Sequence, residues 1–170
     1  MIRALTIVLA VGVSTPAFAD QLEPQIQADL GLSVVFAAYE YPVTSHIAVE
    51  AGGGIFGTYF LPWFDAGEDV KGFGGGVRAT WFSRTSGRGL YVAPYFRAIR
   101  VTGELDGASG SGPAVTSGVF VGWAFGLTDK LDLRVGGGAQ YIYSHVETAA
   151  GDLDTSTPFV ALDLVVGYRY

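Results

Sequence analysis

The residue types closest to a catalytic set lie in the stretch "YSHVET", which brings Ser144, His145 and Glu147 close together in the chain. A serine hydrolase needs a serine nucleophile, a histidine base and an acid that converge on one place. Adjacent side chains of a β-strand point to opposite faces, so Ser144 diverges from His145, and no serine is placed on the face that His145 and Glu147 share. The other histidine, His46, follows the turn-like "PVTS" and is expected in a turn or at an interface. The pattern does not favour a catalytic site.

Two further motifs that could bind a ligand are incomplete. "GFGGGVRAT" lacks the Lys-Ser/Thr pair and the following helix of a phosphate-binding loop, and "GDLDTS" lacks the frame of a calcium loop. We interpret "GDLDTS" as a solvated acidic loop and expect no cofactor. The chain has no cysteine and a net charge of -6, which excludes disulfide or thiolate chemistry and argues against a nucleic-acid partner.

The remaining charges lie in segments that alternate with a period of two. One face of each segment is apolar and aromatic, and the other holds glycine, small and charged residues, which is typical of β-strands. From the charged residues of these second faces we single out six as pointing inward together, namely Glu40, Glu50, Arg78, Arg97, Arg134 and Asp163.

The connections between these segments also alternate. Short turns such as "PVTS" and "GLTDK" alternate along the chain with longer polar connections, namely "LPWFDAGED", "GELDGASGSGP" and "ETAAGDLDTSTP". This layout is typical of outer-membrane barrels. A soluble barrel with an apolar interior has the same period, but its exterior would not carry rows of large rings such as Trp81 and Trp123. We therefore predict an all-β, eight-stranded antiparallel up-and-down transmembrane β-barrel.

The strand count depends on the first segment, "QIQADLGLSVVFAAYEY". Its apolar residues occupy even positions before Gly31 and odd positions after it. A bulge at Gly31 would keep one strand, whereas a tight hairpin there would divide two. We choose the hairpin, because bacterial single-chain barrels have even strand numbers.

The lumen of an eight-stranded barrel is just wide enough for side chains to fill it. Inward charges are costly there unless they are paired, so the six charged residues are expected to form a lumen charge network. Three glycine triplets would leave room for the arginines to cross and would permit tight coiling of the wall. Their inward members are Gly52, Gly54, Gly74, Gly76, Gly136 and Gly138.

The first residues have the pattern of an export signal. "MIR" supplies a positive start, "ALTIVLAVGV" is an apolar run too short to span a bilayer, and "TPAFA" ends in a small-residue cleavage site. We predict a signal peptide over 1–19 and an outer-membrane barrel domain over 20–170. No cysteine follows the signal, which excludes a lipoprotein anchor.

Charge is divided between the two kinds of connection. This division predicts an acidic outer rim that divalent cations would bridge to phosphorylated lipid. The long connections carry Asp65, Glu68, Asp69, Glu104, Asp106, Glu147, Asp152 and Asp154, and the short turns carry Arg84, Arg88 and Lys130.

The C-terminal "ALDLVVGYRY" resembles the terminal strand signal of outer-membrane barrels, with Leu164, Val166, Tyr168 and Tyr170 as its alternating residues. With "YEYPVTSHIAVEAGGG" and "GVFVGWAFGLTDKLDLRVGGGAQY", residues 25–170 resemble small outer-membrane proteins of OmpA-like or DUF3575-like type. The resemblance implies residence in the outer membrane of a Gram-negative bacterium and assembly by the barrel assembly machinery.

We expect a monomeric, non-enzymatic barrel among lipid and lipopolysaccharide, with a structural role or one of recognition through its loops. The alternatives are a lipid A-modifying enzyme of the deacylase type, whose His-x-Ser motif is absent here, and a narrow channel for small solutes.

Overall fold

The computed structural model describes residues 21–32, 34–57 and 70–170. Each strand pairs antiparallel with the next and β8 pairs with β1, so the prediction of a closed eight-stranded barrel is confirmed. The predicted signal peptide and the connection "LPWFDAGED" lie outside the described residues. Within the described part of the chain, no helix is long and apolar enough to cross a membrane. The strands are β1 (Gln25–Leu30), β2 (Val34–Pro42), β3 (Ile47–Gly57), β4 (Lys71–Phe82), β5 (Gly89–Leu105), β6 (Ala108–Gly126), β7 (Leu131–Thr148) and β8 (Gly151–Arg169).

The change of parity near Gly31 marks a turn between two strands. The N–H of Gly31 donates to the carbonyl oxygen of Val34 at 2.9 Å, and Leu30 then faces Val35 in the register of β1 and β2. The turn keeps apolar residues on the outer face on both sides, and the hairpin interpretation is confirmed.

Two turns at the end of the barrel where β1 begins and β8 ends share one construction. In each, a threonine hydroxyl accepts hydrogen bonds from backbone N–H groups two and three residues later: Thr44 from His46 and Ile47, and Thr128 from Lys130 and Leu131. Such local bonds stabilise a turn at the expense of a continued strand. We call this end of the barrel the turn end. His46 lies in its turn as expected, and its Nδ1–H donates to the Phe82 carbonyl at 2.8 Å.

At the opposite, outer end, the prediction of long loops in "GELDGASGSGP" and "ETAAGDLDTSTP" is wrong. Strands β5 and β6 continue until only Asp106 and Gly107 connect them, and β7 and β8 are joined through residues 149 and 150. Asp106 and Gly107 have φ values of 49° and 80°, as a two-residue hairpin turn requires, and Asp-Gly is among the pairs most suited to it. The segments form extended hairpins instead of loops.

The wall of the barrel is apolar on its outside. Large apolar side chains there remain 38–67% exposed. Along β8 the outward set from Val160 to Tyr170 spans about 33 Å at about 3.3 Å per residue, which projects to about 25 Å at a strand tilt of about 40°. This matches the height of an apolar membrane band, and we call it the apolar belt. It includes Ile26, Val35, Ile55, Phe73, Val77, Trp81, Phe96, Val121, Trp123, Tyr141, Val160 and Leu162.

Above the belt the polarity of strands β5–β8 reverses without a change of register. In β5, outward Phe96 gives way to outward Arg100 and Thr102, while inward Arg97 gives way to buried Val101. The other three strands follow the same trend: polar residues face outward, and the inside holds mainly apolar residues with a few hydroxyls such as that of Ser144. Their buried apolar residues at this height, together with neighbours on other strands, form one cluster: Val34, Phe36, Ala38, Phe56, Val70, Ile99, Val101, Ala114 and Val146, with Leu153 against it.

Two glycine triplets face each other. Residues 52–54 of β3 pair in register with residues 76–74 of β4. A Cβ atom on Gly54 would clash with the Val35 carbonyl oxygen, so these glycines mainly allow strands to approach and coil. Of the six inward glycines, an arginine uses the space only at Gly76, where a Cβ would lie 2.6 Å from the Arg97 Cγ. The expectation that the triplets chiefly make room for arginines is therefore wrong.

Candidate functional site

The centre of the lumen is organised by Arg78 of β4, whose side chain is 2% exposed. Its Nε and Nη2 donate to Oε2 of Glu50, on the neighbouring strand β3, at 2.9 and 2.7 Å. Its Nη1 donates to Asp163 Oδ1 at 2.8 Å, and Nη2 reaches Gln27 Oε1 at 3.4 Å. Asp163 also accepts a bond of 2.6 Å from the Tyr91 hydroxyl. Because β4 and β8 lie on opposite sides of the ring, the Arg78–Asp163 pair spans the lumen.

A second pair crosses the lumen between β7 and β2. Arg134 donates from Nη1 to Glu40 Oε2 at 2.8 Å and from Nη2 to Glu40 Oε1 at 2.6 Å. This bidentate geometry is the strongest form of an arginine–carboxylate contact. Gln25 Nε2 donates to the same carboxylate at 2.5 Å, and the guanidinium lies 4.8 Å from the Phe82 ring centroid. Glu40 is thus satisfied from two other strands.

The third arginine, Arg97 of β5, pairs with Asp29 of β1 on the opposite side of the ring. Its guanidinium lies between two rings, 5.2 Å from the Phe36 centroid and 4.7 Å from that of Tyr95. Asp29 lies 3.7 Å from Arg78 as well, so it links the two arginines. The structure therefore brings all six residues of the predicted set into the lumen, and Arg97 is joined to the others through Asp29.

A smaller ionic group lies nearer the turn end. Arg169 Nε donates to Asp132 Oδ2 at 2.5 Å, and its Nη2 donates to the Ser86 carbonyl at 2.7 Å. Arg88 approaches the same aspartate at 3.4 Å. Arg88 belongs to a short turn as the sequence suggested, and its side chain is buried.

The sequence interpretation missed Asp29, Asp132 and Arg169. Each shares the parity of a residue already placed inward: Asp132 that of Arg134, and Arg169 that of Asp163. Asp29 alternates with buried Gln25 and Gln27, a signal that the uncertainty at Gly31 obscured. Among the buried residues of the described chain, five arginines face five carboxylates, so the interior is formally neutral.

Apolar side chains pack on both sides of the central ionic network. Towards the outer end lies the apolar cluster described above. Towards the turn end, Leu22 packs with Phe82 and Tyr91, and a Cβ on Gly87 would lie 2.6 Å from Leu22 Cδ2. The arrangement can hold charge in fixed positions, and every one of its buried arginines is held by a carboxylate.

Ser144 and His145 lie on opposite faces. Ser144 is buried inside, and His145 is on the outer face above the apolar belt. His145 Nδ1 contacts Asp154 Oδ1 at 2.5 Å, and its Nε2 lies 3.4 Å from Glu147 Oε1. Hydrogen bonds to Asp154 and then Glu147 raise the pKa of His145 above its usual value. Both ring nitrogens thus face carboxylates instead of a serine.

The predicted rim and assembly residues are placed as follows. Glu104, Asp106, Glu147, Asp152 and Asp154 lie on the outer hairpins, while Asp65, Glu68 and Asp69 fall outside the described residues. No group of three or more histidine or acidic side chains in the described ranges could hold a metal ion. The four residues of the predicted assembly signal, Leu164, Val166, Tyr168 and Tyr170, lie on the outer face at the C-terminal end of the chain, and the Tyr170 hydroxyl donates to that of Tyr39 at 2.8 Å.

No protein-family model matches this sequence, and no curated protein matches it, so the OmpA-like or DUF3575-like resemblance stays a prediction. Two solved structures resemble the fold. The N-terminal β-barrel domain of OprF from Pseudomonas aeruginosa is 15% identical, with a TM-score of 0.53, over 87% of this chain and 96% of that one. Neisserial surface protein A is 14% identical, with a TM-score of 0.59, over 87% and 95%. At such low identity the likeness establishes the fold alone, and the chain is a closed eight-stranded antiparallel β-barrel similar to these two.

Proposed function

We propose that this chain is an integral barrel of the bacterial outer membrane, with a lumen closed by its charge network and an outer end built for recognition or structural support. The observation that carries the proposal is the direction of its polarity. The outside is an apolar belt about 25 Å tall, and the inside of the described barrel holds ten buried ionic side chains. A water-soluble barrel would have the opposite arrangement.

One experiment tests both the cellular location of the protein and its insertion into the membrane. Membranes of a Gram-negative host that expresses the full chain are fractionated, and the outer-membrane fraction is run on a gel with and without boiling. We expect a heat-modifiable band in that fraction, because a closed barrel stays compact in detergent until it is heated. A band that remains in the soluble or inner-membrane fraction with heat-independent mobility would refute the proposal.

A closed lumen predicts little conductance. Arg78–Asp163, Arg97–Asp29 and Arg134–Glu40 cross the ring at its middle, and apolar clusters pack towards both ends of the described barrel, which supports a closed lumen. In a planar bilayer we expect no steps, or only small and transient ones. Large, stable steps would favour the narrow-channel alternative instead.

The exposed edge of β8 supports a monomer. Pairing between β1 and β8 ends at Val165 of β8, and the outer part of β8 extends beyond β1. No other described strand covers that side of it. Open edges invite pairing with another chain. Here Pro158 has no N–H to offer, and the Val160 carbonyl accepts from Gln140 Nε2 at 3.5 Å. The edge is therefore blunted against a second copy.

The enzyme alternative has no supporting geometry, since Ser144 and His145 are separated by the barrel wall. We propose a non-enzymatic role. Mass spectrometry of lipid A from cells with and without the protein tests it, and we expect identical spectra. A loss of one acyl chain that depends on the protein would overturn this part of the proposal.

A further inference from the structure

Four cations of the described chain lie outside the lumen, and they divide evenly between its two ends. Arg84 and Lys130 lie in turns at the turn end, whereas Lys71 and Arg100 lie on the outer face of β4 and β5. The outer pair stands at an end whose other charged residues are mainly acidic. Its position therefore calls for a separate explanation.

Lys71 and Arg100 are close neighbours on one face. Phe73 pairs with Arg100 and Lys71 pairs with Thr102, so the two cations are diagonal neighbours about 7–8 Å apart at their Cα atoms. Both side chains are exposed, and Arg100 Nη2 donates to the Ser111 hydroxyl at 3.1 Å. No carboxylate of the described residues lies within 4.0 Å of either cation. Two neutral hydroxyls flank the pair: that of Ser111 accepts from Arg100, and that of Thr102 donates to the Lys71 carbonyl oxygen at 3.2 Å.

The pair also stands where the polarity of the wall reverses. Beside Arg100, as its register partner on β4, is Phe73, the most exposed large apolar side chain of the described residues at 67%, and next to Phe73 on β3 is Ile55 at 56%. Towards the outer end the outer face of β5 becomes polar, with Thr102 opposite Lys71 and then Glu104. A lipid whose acyl chains lie on the apolar belt, from Phe73 on towards Val77, would hold its headgroup at the height of the two cations.

We propose that Lys71 and Arg100 form a binding site for the phosphate of an anionic lipid in the outer leaflet. Arginine and lysine are the side chains that bind phosphate, through charge and several donors. This inference rests on the proposed outer-membrane location and adds the lipid partner and the side of the barrel that it contacts.

The opposite side of the rim repels such a lipid. On β7 and β8 the same height carries Glu147, Asp152 and Asp154, and His145 is already engaged by two of these carboxylates. Phosphate could approach that side only through a divalent cation. Direct binding at Lys71 and Arg100 and metal-bridged binding at the acidic side therefore make different predictions about a chelator.

The test uses the refolded mature chain in zwitterionic detergent micelles, with lipopolysaccharide titrated as the phosphorylated lipid. The variant Lys71→Gln/Arg100→Gln is compared with Arg84→Gln/Lys130→Gln, which removes the same charge at the turn end. Each cation near an anionic lipid surface contributes about 1 kcal/mol, so we expect roughly 30-fold weaker binding for the first variant. The control variant should bind as the parent chain does. Binding should weaken with salt and persist in a chelator.

Further measurements distinguish lipid phosphate from free phosphate, and they separate failure of the lipid site from failure of the proposed function. Lipopolysaccharide stripped of its phosphates should bind the parent chain as weakly as the double variant binds the intact lipid, and inorganic phosphate at the same concentration should not compete. Equal loss in both double variants, or binding abolished by the chelator alone, would overturn the site. Heat-modifiable mobility is recorded for every sample. A variant that keeps it while losing lipid has failed only in the site, whereas a parent chain that lacks it refutes the proposed function.

Discussion

The middle and the outer part of this barrel are built from the same four strands, yet their interiors have opposite chemistry. In the middle, β5–β8 place Arg97, Arg134 and Asp163 inside and apolar rings outside. Further out, the same strands place Val101 and Val146 inside, both fully buried. The register does not change between the two regions, so the same backbone arrangement accommodates either a charged or an apolar interior.

The difference teaches that the surroundings of the wall decide the polarity of its two faces. Where lipid surrounds the barrel, apolar side chains face outward at no cost, and polar side chains must satisfy one another within. Where water surrounds it, polar side chains face outward, and the interior is held by apolar burial as in a soluble protein. The row of Arg100 and His145, where the polarity changes, therefore marks the outer boundary of the proposed membrane.

The largest expected effect comes from removing the central cation. Arg78→Met leaves Glu50 and Asp163 buried without their main partner, and breaking a buried pair in this way costs about 3–5 kcal/mol. In the outer part, Val146→Ala removes only apolar contacts and should cost roughly 1–3 kcal/mol. Urea unfolding of the chain in lipid vesicles, followed by tryptophan fluorescence, measures both free energies of unfolding.

A triple variant separates lost charge balance from lost packing. Arg78→Met with Glu50→Gln and Asp163→Asn removes the stranded charges, so it should recover more than half of the stability that Arg78→Met alone loses. If the triple variant is no more stable than the single one, the network acts by shape and not by charge, and the contrast between the two interiors weakens.

The outer faces of the two regions are compared by placing the same charge on each. Val121 lies in the apolar belt on β6, and Val121→Arg should cost about 2–4 kcal/mol of unfolding free energy at mid-membrane. Ser109 lies on the outer hairpin opposite Glu104, so Ser109→Arg should be neutral or slightly stabilising. Vesicle unfolding is again the measurement. Equal costs would place the membrane boundary elsewhere.

A smaller effect is expected at the tip of the β5–β6 hairpin. Gly107 has φ 80°, and a Cβ atom there would meet nothing within 4 Å, so Gly107→Ala meets only backbone strain, about 1 kcal/mol. Gly107→Asn should lose less, since asparagine tolerates this conformation. Amide exchange should quicken in the outer hairpin alone. Faster exchange in the belt strands would mean that the two regions are not independent.

The barrel and its charged lumen were accessible from the sequence because both depend on parity. The alternation placed Arg78 and Arg134 on the inner face without any knowledge of partners. The pairing of Arg97 with Asp29 was not accessible, since it depends on which strands lie opposite in the ring. The outer hairpins were missed because the reversal of polarity resembles a polar loop, although the Asp106–Gly107 turn signal was present.

The smallest effect concerns His145, which lies outside the belt between Asp154 and Glu147. Ionised carboxylates favour the imidazolium form, so the pKa of His145 lies above its usual value of about 6.5. Because the pKa is raised in the folded chain, the stabilisation is fully present below about pH 6.5 and is lost as pH rises through the folded pKa. Titration of the His145 ring by NMR, with the signal assigned from a His145→Asn variant, measures it.

The variants Asp154→Asn and Glu147→Gln rank the two partners. Asp154 makes the shorter contact and is the larger cause of the shift, so Asp154→Asn should lower the pKa of His145 further than Glu147→Gln does. Either change should leave the stability of the belt untouched, because His145 lies outside the proposed membrane, in water. A loss of barrel stability in Asp154→Asn that matches Arg78→Met would contradict the division between an outer part governed by water and a middle governed by lipid.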